Sequence, residues 1–335
     1  MSRVKFAVLG CGRIGLKHIK FINDNKDAEL VAVIDKNINK IKINNNNKFT
    51  NIDDFLKSDL EVDIINVSTP NGQHAKNALS ILEANKNVLI EKPMALKKED
   101  AVKIINKSLI KNKKVFVVMQ NRYSPVLNFL KNLVDNNKLG EIYFVSINCF
   151  WNRNDNYFNN HEWHGDLNND GGVLFTQFSH FIDAIYWIFG DFKNITSNLK
   201  KFKKIQNIEF EDTGTIKFEL LSKTLCSLNF TISAFEKHFE SSISVIAEKG
   251  NIKIEGQYLD KLTICDIEEK PNFFKETRNI PKYYENYDNN EINHALVIQN
   301  AIDVLNYNSE IKTNVLDGMK VIEIIQKIYE EGRKK

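Results

Sequence analysis

The sequence has no cysteine pair at a metal-binding or redox spacing. Cys11, Cys149, Cys226 and Cys265 lie far apart and none belongs to a CxxC. A cysteine-held metal is therefore not expected, and free thiols suit a reducing cytoplasm, the location expected here. No apolar run approaches the roughly 20 residues that span a bilayer, so no membrane association is expected. The first strand-like run, VKFAVLG, carries neither the long apolar stretch nor the cleavage site of a signal peptide. Neither sign of charge dominates: 46 Lys and Arg against 43 Asp and Glu leave a formal charge of +3, and the lysines are scattered. That gives no footprint for nucleic acid. There is no internal repeat, and the asparagine run NNNNK at 44–48 reads as compositional bias in a loop.

What remains is an ordinary globular composition, 42% hydrophobic and 27% charged over 335 residues, enough for two domains with a large core. Over the first 120 residues, strand-like and helix-like runs alternate: VKFAVLG, RIGLKHIKFIND, ELVAVID, VDIINVS, a helix near 73–84, NVLIEKP, a helix near 97–112 and KVFVVMQ. Strands separated by helices imply a doubly wound parallel sheet. After a helix near 125–136 the pattern changes. EIYFVSINCFWNR alternates like a half-buried strand, 171–189 reads as a helix, and closely spaced strands fill about 195–266. The fold class expected is α/β: a dinucleotide-binding domain over 1–120, then an α/β domain over 121–335 with a large open, mostly antiparallel sheet. Two closing helices, about 291–305 and 315–330, have the option of packing back on the first domain. A broad sheet with one helical layer leaves a face to cover, so a homo-oligomer, a dimer or tetramer, is expected.

The first turn reads Gly10-Cys11-Gly12-Arg13-Ile14-Gly15, a GxGxxG between a strand and a helix. Gly10 permits the turn, Gly12 admits a pyrophosphate, and Gly15 lets the helix pack on the sheet. Arg13 and Ile14 open that helix, whose N-terminus attracts phosphate. Asp35 ends the second strand, where a carboxylate accepts from both ribose hydroxyls and repels a 2′-phosphate, favouring NAD over NADP. Ser68, Thr69, Pro70, Asn71 and His74 follow the strand VDIIN, Glu91 and Lys92 follow NVLI, and Gln120 follows KVFVVM. All sit at the carboxyl ends of strands, where ligands bind in such sheets, and are candidates for holding the cofactor.

GCGRIG, STPNGQH, EKP and GGVLFTQFSHFID, in that order and spacing, resemble the Gfo/Idh/MocA oxidoreductase family. The resemblance implies a Rossmann domain, a second α/β domain with an open sheet, a nicotinamide cofactor and a pyranose or polyol substrate. It places the catalytic lysine at Lys92, a cis proline at Pro93 and the catalytic histidine at His180. The family usually has an aspartate four residues before that histidine; here stand Thr176 and then Gln177. A non-acidic residue there is similar to the branch that oxidises C3 of UDP-N-acetylated sugars. QNRYSP, FWNRNDNYF and HEWHGD suggest the same branch, which supplies 3-keto sugars for amination in lipid A or O-antigen synthesis. Within the family, a sugar or inositol dehydrogenase is the alternative; outside it, a non-catalytic NAD- or sugar-binding protein.

A lone histidine on an apolar helix is usually a core residue. Helical spacing, however, groups Gly172, Thr176, His180 and Asp183 on one polar stripe, while Leu174, Phe178, Phe181 and Ile185 project elsewhere. Such a seam needs partners, and a hydroxyl-rich sugar would supply them. Oxidising a secondary alcohol needs a base near neutral pKa, and Lys92 and His180 are both candidates. Arg122, Tyr123, Asn152 and Arg153 are candidates for the UDP and sugar, since arginine matches a diphosphate bidentately. Trp163, Thr176 and Gln177 complete the substrate set. His161, His164 and Asp166 lack a metal-ligand spacing, so no metal is expected. Asn293 and His294 either reach the substrate or cap a late helix.

Overall fold

The computed structural model describes residues 2–38, 47–159, 162–203, 208–268 and 280–334. Most of the asparagine run at 44–48, and His161, lie outside the described residues. The chain divides into two compact units, 1–120 with 280–322 and 121–279 with 323–335.

In unit 1, β1 (Val4–Leu9), α1 (Arg13–Asp24), β2 (Ala28–Ile34), β3 (Lys48–Phe49), α2 (Ile52–Leu56), β4 (Ile64–Val67), α3 (His74–Glu83), β5 (Asn87–Ile90), α4 (Lys98–Ile110) and β6 (Val115–Val117) follow in order. Their six strands form one parallel sheet, β3-β2-β1-β4-β5-β6. β4 (IINV) and β6 (VFV) are buried at every residue, as strands covered on both faces must be. The order steps outward in both directions from β1 and β4, so the carboxyl ends of those two strands flank the reversal point.

In unit 2, Ser124 caps α5 (Pro125–Asp135), with Pro125 at the first helical position. There follow β7 (Ile142–Phe150), α6 (Asp155–Asn159), a wide π-helical turn over Leu174–Phe178 and α7 (Ser179–Phe189). Then come β8 (Phe192–Lys200), β9 (Thr213–Leu220), β10 (Leu225–Thr231), β11 (Glu240–Ala247), β12 (Gly250–Glu255) and β13 (Lys261–Ile267). The seven strands order as β13-β12-β11-β7-β10-β9-β8. All pairs are antiparallel except β7 with β10. Val145, Ile147, Cys149, Leu228 and Phe230 point into the core, while Ser146, Asn148, Ser227 and Asn229 alternate onto the other face and bond across strands. That second face is polar along its middle and carries exposed Phe144, Leu225 and Ile246 toward one end. Among the late helices, α8 (Asn289–Tyr307) belongs to unit 1, and α9 (Val315–Arg333) divides between the units after Ile322. Among the described residues, no helix is long and apolar enough to cross a membrane.

Candidate active site

The turn after β1 is shaped by three glycines with different duties. Gly10 has φ +91°, and a Cβ there would lie 2.5 Å from the Ser68 carbonyl oxygen. A Cβ on Gly15 would lie 1.9 Å from the Gly10 carbonyl. At Gly12 a Cβ would meet nothing within 4 Å. The protein itself gives no reason for glycine there; a bound pyrophosphate does. Gly12→Val should therefore weaken NADH binding at least about tenfold with little change in melting temperature, whereas Gly15→Ala should lower that temperature by several degrees. Fluorescence titration with NADH and a thermal melt read the two effects.

Asp35 is held before any cofactor arrives. One carboxylate oxygen accepts the Cys11 N–H at 2.8 Å and the other the Asn37 N–H at 2.8 Å. Each oxygen retains capacity to accept from a ribose hydroxyl. Burial, helped by the Asp35 charge, pushes the Cys11 thiol up to about 12, so it is no nucleophile. Arg13 is exposed and Ile14 half-buried at the start of α1. Thr69 and Pro70 are half-buried beyond β4, Asn71 is buried, and Ser68 donates to Asn66 Oδ1 at 2.6 Å. Gln120 is buried at the end of this unit's first segment. These residues fit NAD.

His74 and Glu91, expected among the cofactor residues, are both held by partners within the protein. His74 is buried, with its ring nitrogens 2.7 Å from the Pro93 carbonyl and 2.7 Å from the Thr69 carbonyl. Burial lowers its pKa against the pull of those two carbonyls. Glu91 turns inward: Oε1 lies 2.7 Å from His18 Nε2, and Oε2 accepts the Lys92 N–H at 3.2 Å. Burial works to raise the Glu91 carboxyl, but His18, His294 and Lys92 outweigh it and hold it below the usual carboxylate range. Both side chains support the turn that carries Lys92 instead of facing outward. Lys92 itself is half-buried, and its bond to Pro93 is cis. His294 is buried, with Nδ1 2.9 Å from the Asn290 carbonyl, and burial lowers its pKa to about 4. Asn293 beside it is buried in the same helix, past the cap position held by Asp288.

In unit 2 the polar seam finds partners within the protein, not only in a sugar. Thr176 Oγ1 donates to the Asp170 carbonyl at 2.9 Å and also contacts its carboxylate. Asp170, nearly fully buried, thus brings a carboxylate beside the position where the family usually has one. Gly172 packs against the Tyr329 hydroxyl, which accepts the Leu174 N–H at 3.0 Å. Asp183 is fully buried and takes the Arg122 guanidinium, with Nη2 to Oδ1 at 2.6 Å and Nε to Oδ2 at 3.1 Å. Arg122 lies over the Trp187 ring and is itself buried, where it balances Asp183; the diphosphate contact expected of it would compete with that pairing. The wide turn also breaks the four-residue count on which the stripe was drawn. His180 stands half-buried in the first turn of α7.

Around that helix lies a second cluster. Gln177 Oε1 accepts from Arg153 Nη2 at 2.6 Å and Nε at 2.9 Å, and Gln177 Nε2 donates to the Tyr157 hydroxyl at 2.6 Å. The Arg153 guanidinium lies 5.0 Å from the Trp151 ring and 4.8 Å from the Tyr157 ring. The Asn152 N–H donates to His238 Nδ1 at 3.0 Å, and burial with the Arg153 charge lowers the His238 pKa. Tyr157 stacks on His164 at 4.3 Å, and half-buried Trp163 meets that imidazole edge-on. Tyr123 is buried. Asp170, Tyr157 and His238 are neighbours that sequence reasoning missed; Asp170-Gly171-Gly172, just before the helix, and the aromatic FWNRNDNYF were the available signals. Among the described residues no group of three or more His, Cys, Asp or Glu could hold a metal.

A Rossmann sheet with this glycine turn, joined to an open-sheet domain that presents a histidine on a helix, defines a nicotinamide-dependent dehydrogenase of sugars or polyols. Residues 4–119 match the Gfo/Idh/MocA oxidoreductase family's NAD-binding Rossmann fold, and residues 128–253 match its C-terminal domain. The chain belongs to that family and binds NAD. It is similar to the WlbA dehydrogenase of Bordetella pertussis, solved with NADH and UDP-GlcNAcA: 27% identical, TM-score 0.88, covering 99% of this chain and 97% of that one. It is also similar to WlbA of Chromobacterium violaceum, solved with the same two ligands: 28% identical, TM-score 0.89, covering 100% and 95%. Glucose-6-phosphate 3-dehydrogenase of Bacillus subtilis is 28% identical over 74% of this chain and 73% of its own length.

Proposed function

We propose that this dehydrogenase oxidises the C3 hydroxyl of a UDP-N-acetylated sugar, UDP-N-acetylglucosamine or its glucuronate form, to the 3-keto sugar. The observation that carries the reading is the end-to-end similarity to two dehydrogenases solved with NADH and UDP-GlcNAcA. The product is the kind of ketone an aminotransferase consumes in making lipopolysaccharide sugars, in the cytoplasm. NAD, when bound, would supply the hydride acceptor. Lys92 and His180 serve the departing hydroxyl proton: either the Lys92 ammonium steadies the developing alkoxide while the His180 imidazole takes the proton, or a neutral Lys92 amine takes the proton while His180 steadies the alkoxide. Asp170 and Thr176 set the surroundings of the catalytic helix. Arg153, held on Gln177, and Trp163 are the proposed contacts for the nucleotide and sugar, together with Asn152, next to Arg153 in the chain, and Tyr123.

Calorimetric titrations of the NADH-loaded protein with UDP, UDP-N-acetylglucosamine and free N-acetylglucosamine test the substrate class. The nucleotide sugar should bind at least about 100-fold more tightly than the free sugar. Equal affinities would reject a UDP-sugar substrate and favour a free or phosphorylated sugar, the reading that the Bacillus relative supports.

A further inference from the structure

We propose that Glu91 sets the acidity of Lys92, as a buried carboxylate held beside it by a histidine from α1. The inference rests on Lys92 serving the reacting hydroxyl. Glu91 is 6% exposed and His18 fully buried, and the 2.7 Å contact between them ties α1 to the end of β5. The other Glu91 oxygen accepts the Lys92 N–H, while the Glu91 N–H donates to the Val67 carbonyl at 2.9 Å. On the far side of the same turn, His74 of α3 lies against the Pro93 carbonyl. The turn is thus gripped from two helices, which fixes where the Lys92 side chain starts.

A tie alone does not call for a charge. Apolar residues of the same size usually join a helix to a strand as well as a buried ion pair does, because the charges lose their hydration. A carboxylate kept here has an effect that an apolar residue would lack: it favours the charged form of a neighbouring ammonium. The titratable groups around Glu91 are His18 from α1, His294 from α8, His74 from α3 and Lys92 of its own turn. His18 Nδ1 has no hydrogen-bond partner among the described residues, so the ring holds Glu91 through Nε2 alone. The Glu91 charge at this turn favours the protonated form of Lys92.

Competitive acetylation of the full-length protein across pH, read on the Lys92 peptide by mass spectrometry, reports that acidity without any sugar. Glu91→Gln should lower the apparent pKa of Lys92 by about one unit, and Glu91→Asp should leave it within a few tenths. Glu91→Met, carried in parallel, removes the charge with an apolar side chain of similar length and should shift Lys92 in the same direction. NADH titration shows which variants keep unit 1 folded. An unchanged Lys92 titration in a neutral variant that binds NADH overturns the proposal, as does an equal shift in Glu91→Asp. Loss of the catalytic reading is a separate result, seen as retained turnover when Lys92 itself is replaced.

Discussion

Lys92→Met should lower kcat about a thousandfold while NADH binds within about threefold of the wild-type affinity. A general base or alkoxide-stabilising cation contributes on the order of 10²–10⁴ in rate, and a thousandfold corresponds to about 4 kcal/mol of transition-state stabilisation. Methionine keeps the length and apolar stem of the side chain, so the half-buried site stays filled. His180→Asn should lower kcat by about a hundredfold in the same assay, since asparagine retains a hydrogen bond but no proton affinity. Absorbance at 340 nm with the UDP-sugar that turns over gives both values. A variant keeping more than about a tenth of wild-type kcat removes that residue from the chemistry.

The largest effect on stability should come from Asp183. Its carboxylate and the Arg122 guanidinium are both nearly inaccessible, with side chains 1% and 4% exposed. Removing one partner strands the other as a buried charge, a loss of about 3–5 kcal/mol. Asp183→Ala should therefore lower the melting temperature by about 10 °C. The double variant Arg122→Met with Asp183→Leu should recover most of that loss, because neither charge is left behind. A melt in which the single variant matches wild type would show that the pair carries no net stability. Recovery in the double variant with intact nucleotide-sugar affinity would confine Arg122 to charge balance; a fall in that affinity would return it to the substrate.

The parallel sheet of unit 1 and the placing of its glycine turn could be read from strand runs and spacing, since a buried parallel strand writes itself as an unbroken apolar run; the strand order came from the structure. Asp35 was legible for the same reason: its place at the end of β2 follows from chain length alone. Orientation was not. Glu91 and His74 occupy the strand ends where ligands bind, yet both turn inward, because His18, Thr69 and Pro93 capture them. His18 carried a readable hint. It shares the buried face of α1 with Gly15, Ile19 and Ile22, and a histidine there requires a partner from elsewhere in the chain. In unit 2, the strands followed from their alternation, but the parallel pairing of β7 with β10 is a long-range choice that no local pattern encodes. The stripe through Thr176 and His180 assumed a uniform helix, and the partners Asp170 and Arg122 came from segments whose approach only tertiary packing decides.

The wide turn at Leu174–Phe178 changes how the side chains along this helix are set around its axis. A π turn is the geometric equivalent of one surplus residue slipped into an α-helix. Side chains upstream and downstream of it are therefore clocked separately around the axis, Thr176 by the loop that precedes the helix and His180 by the helix that follows. A carboxylate and an imidazole four positions apart in another family member are not obliged to meet as their spacing suggests. What substitutes for the missing aspartate is better sought in the spatial neighbours of the threonine than at the aligned column.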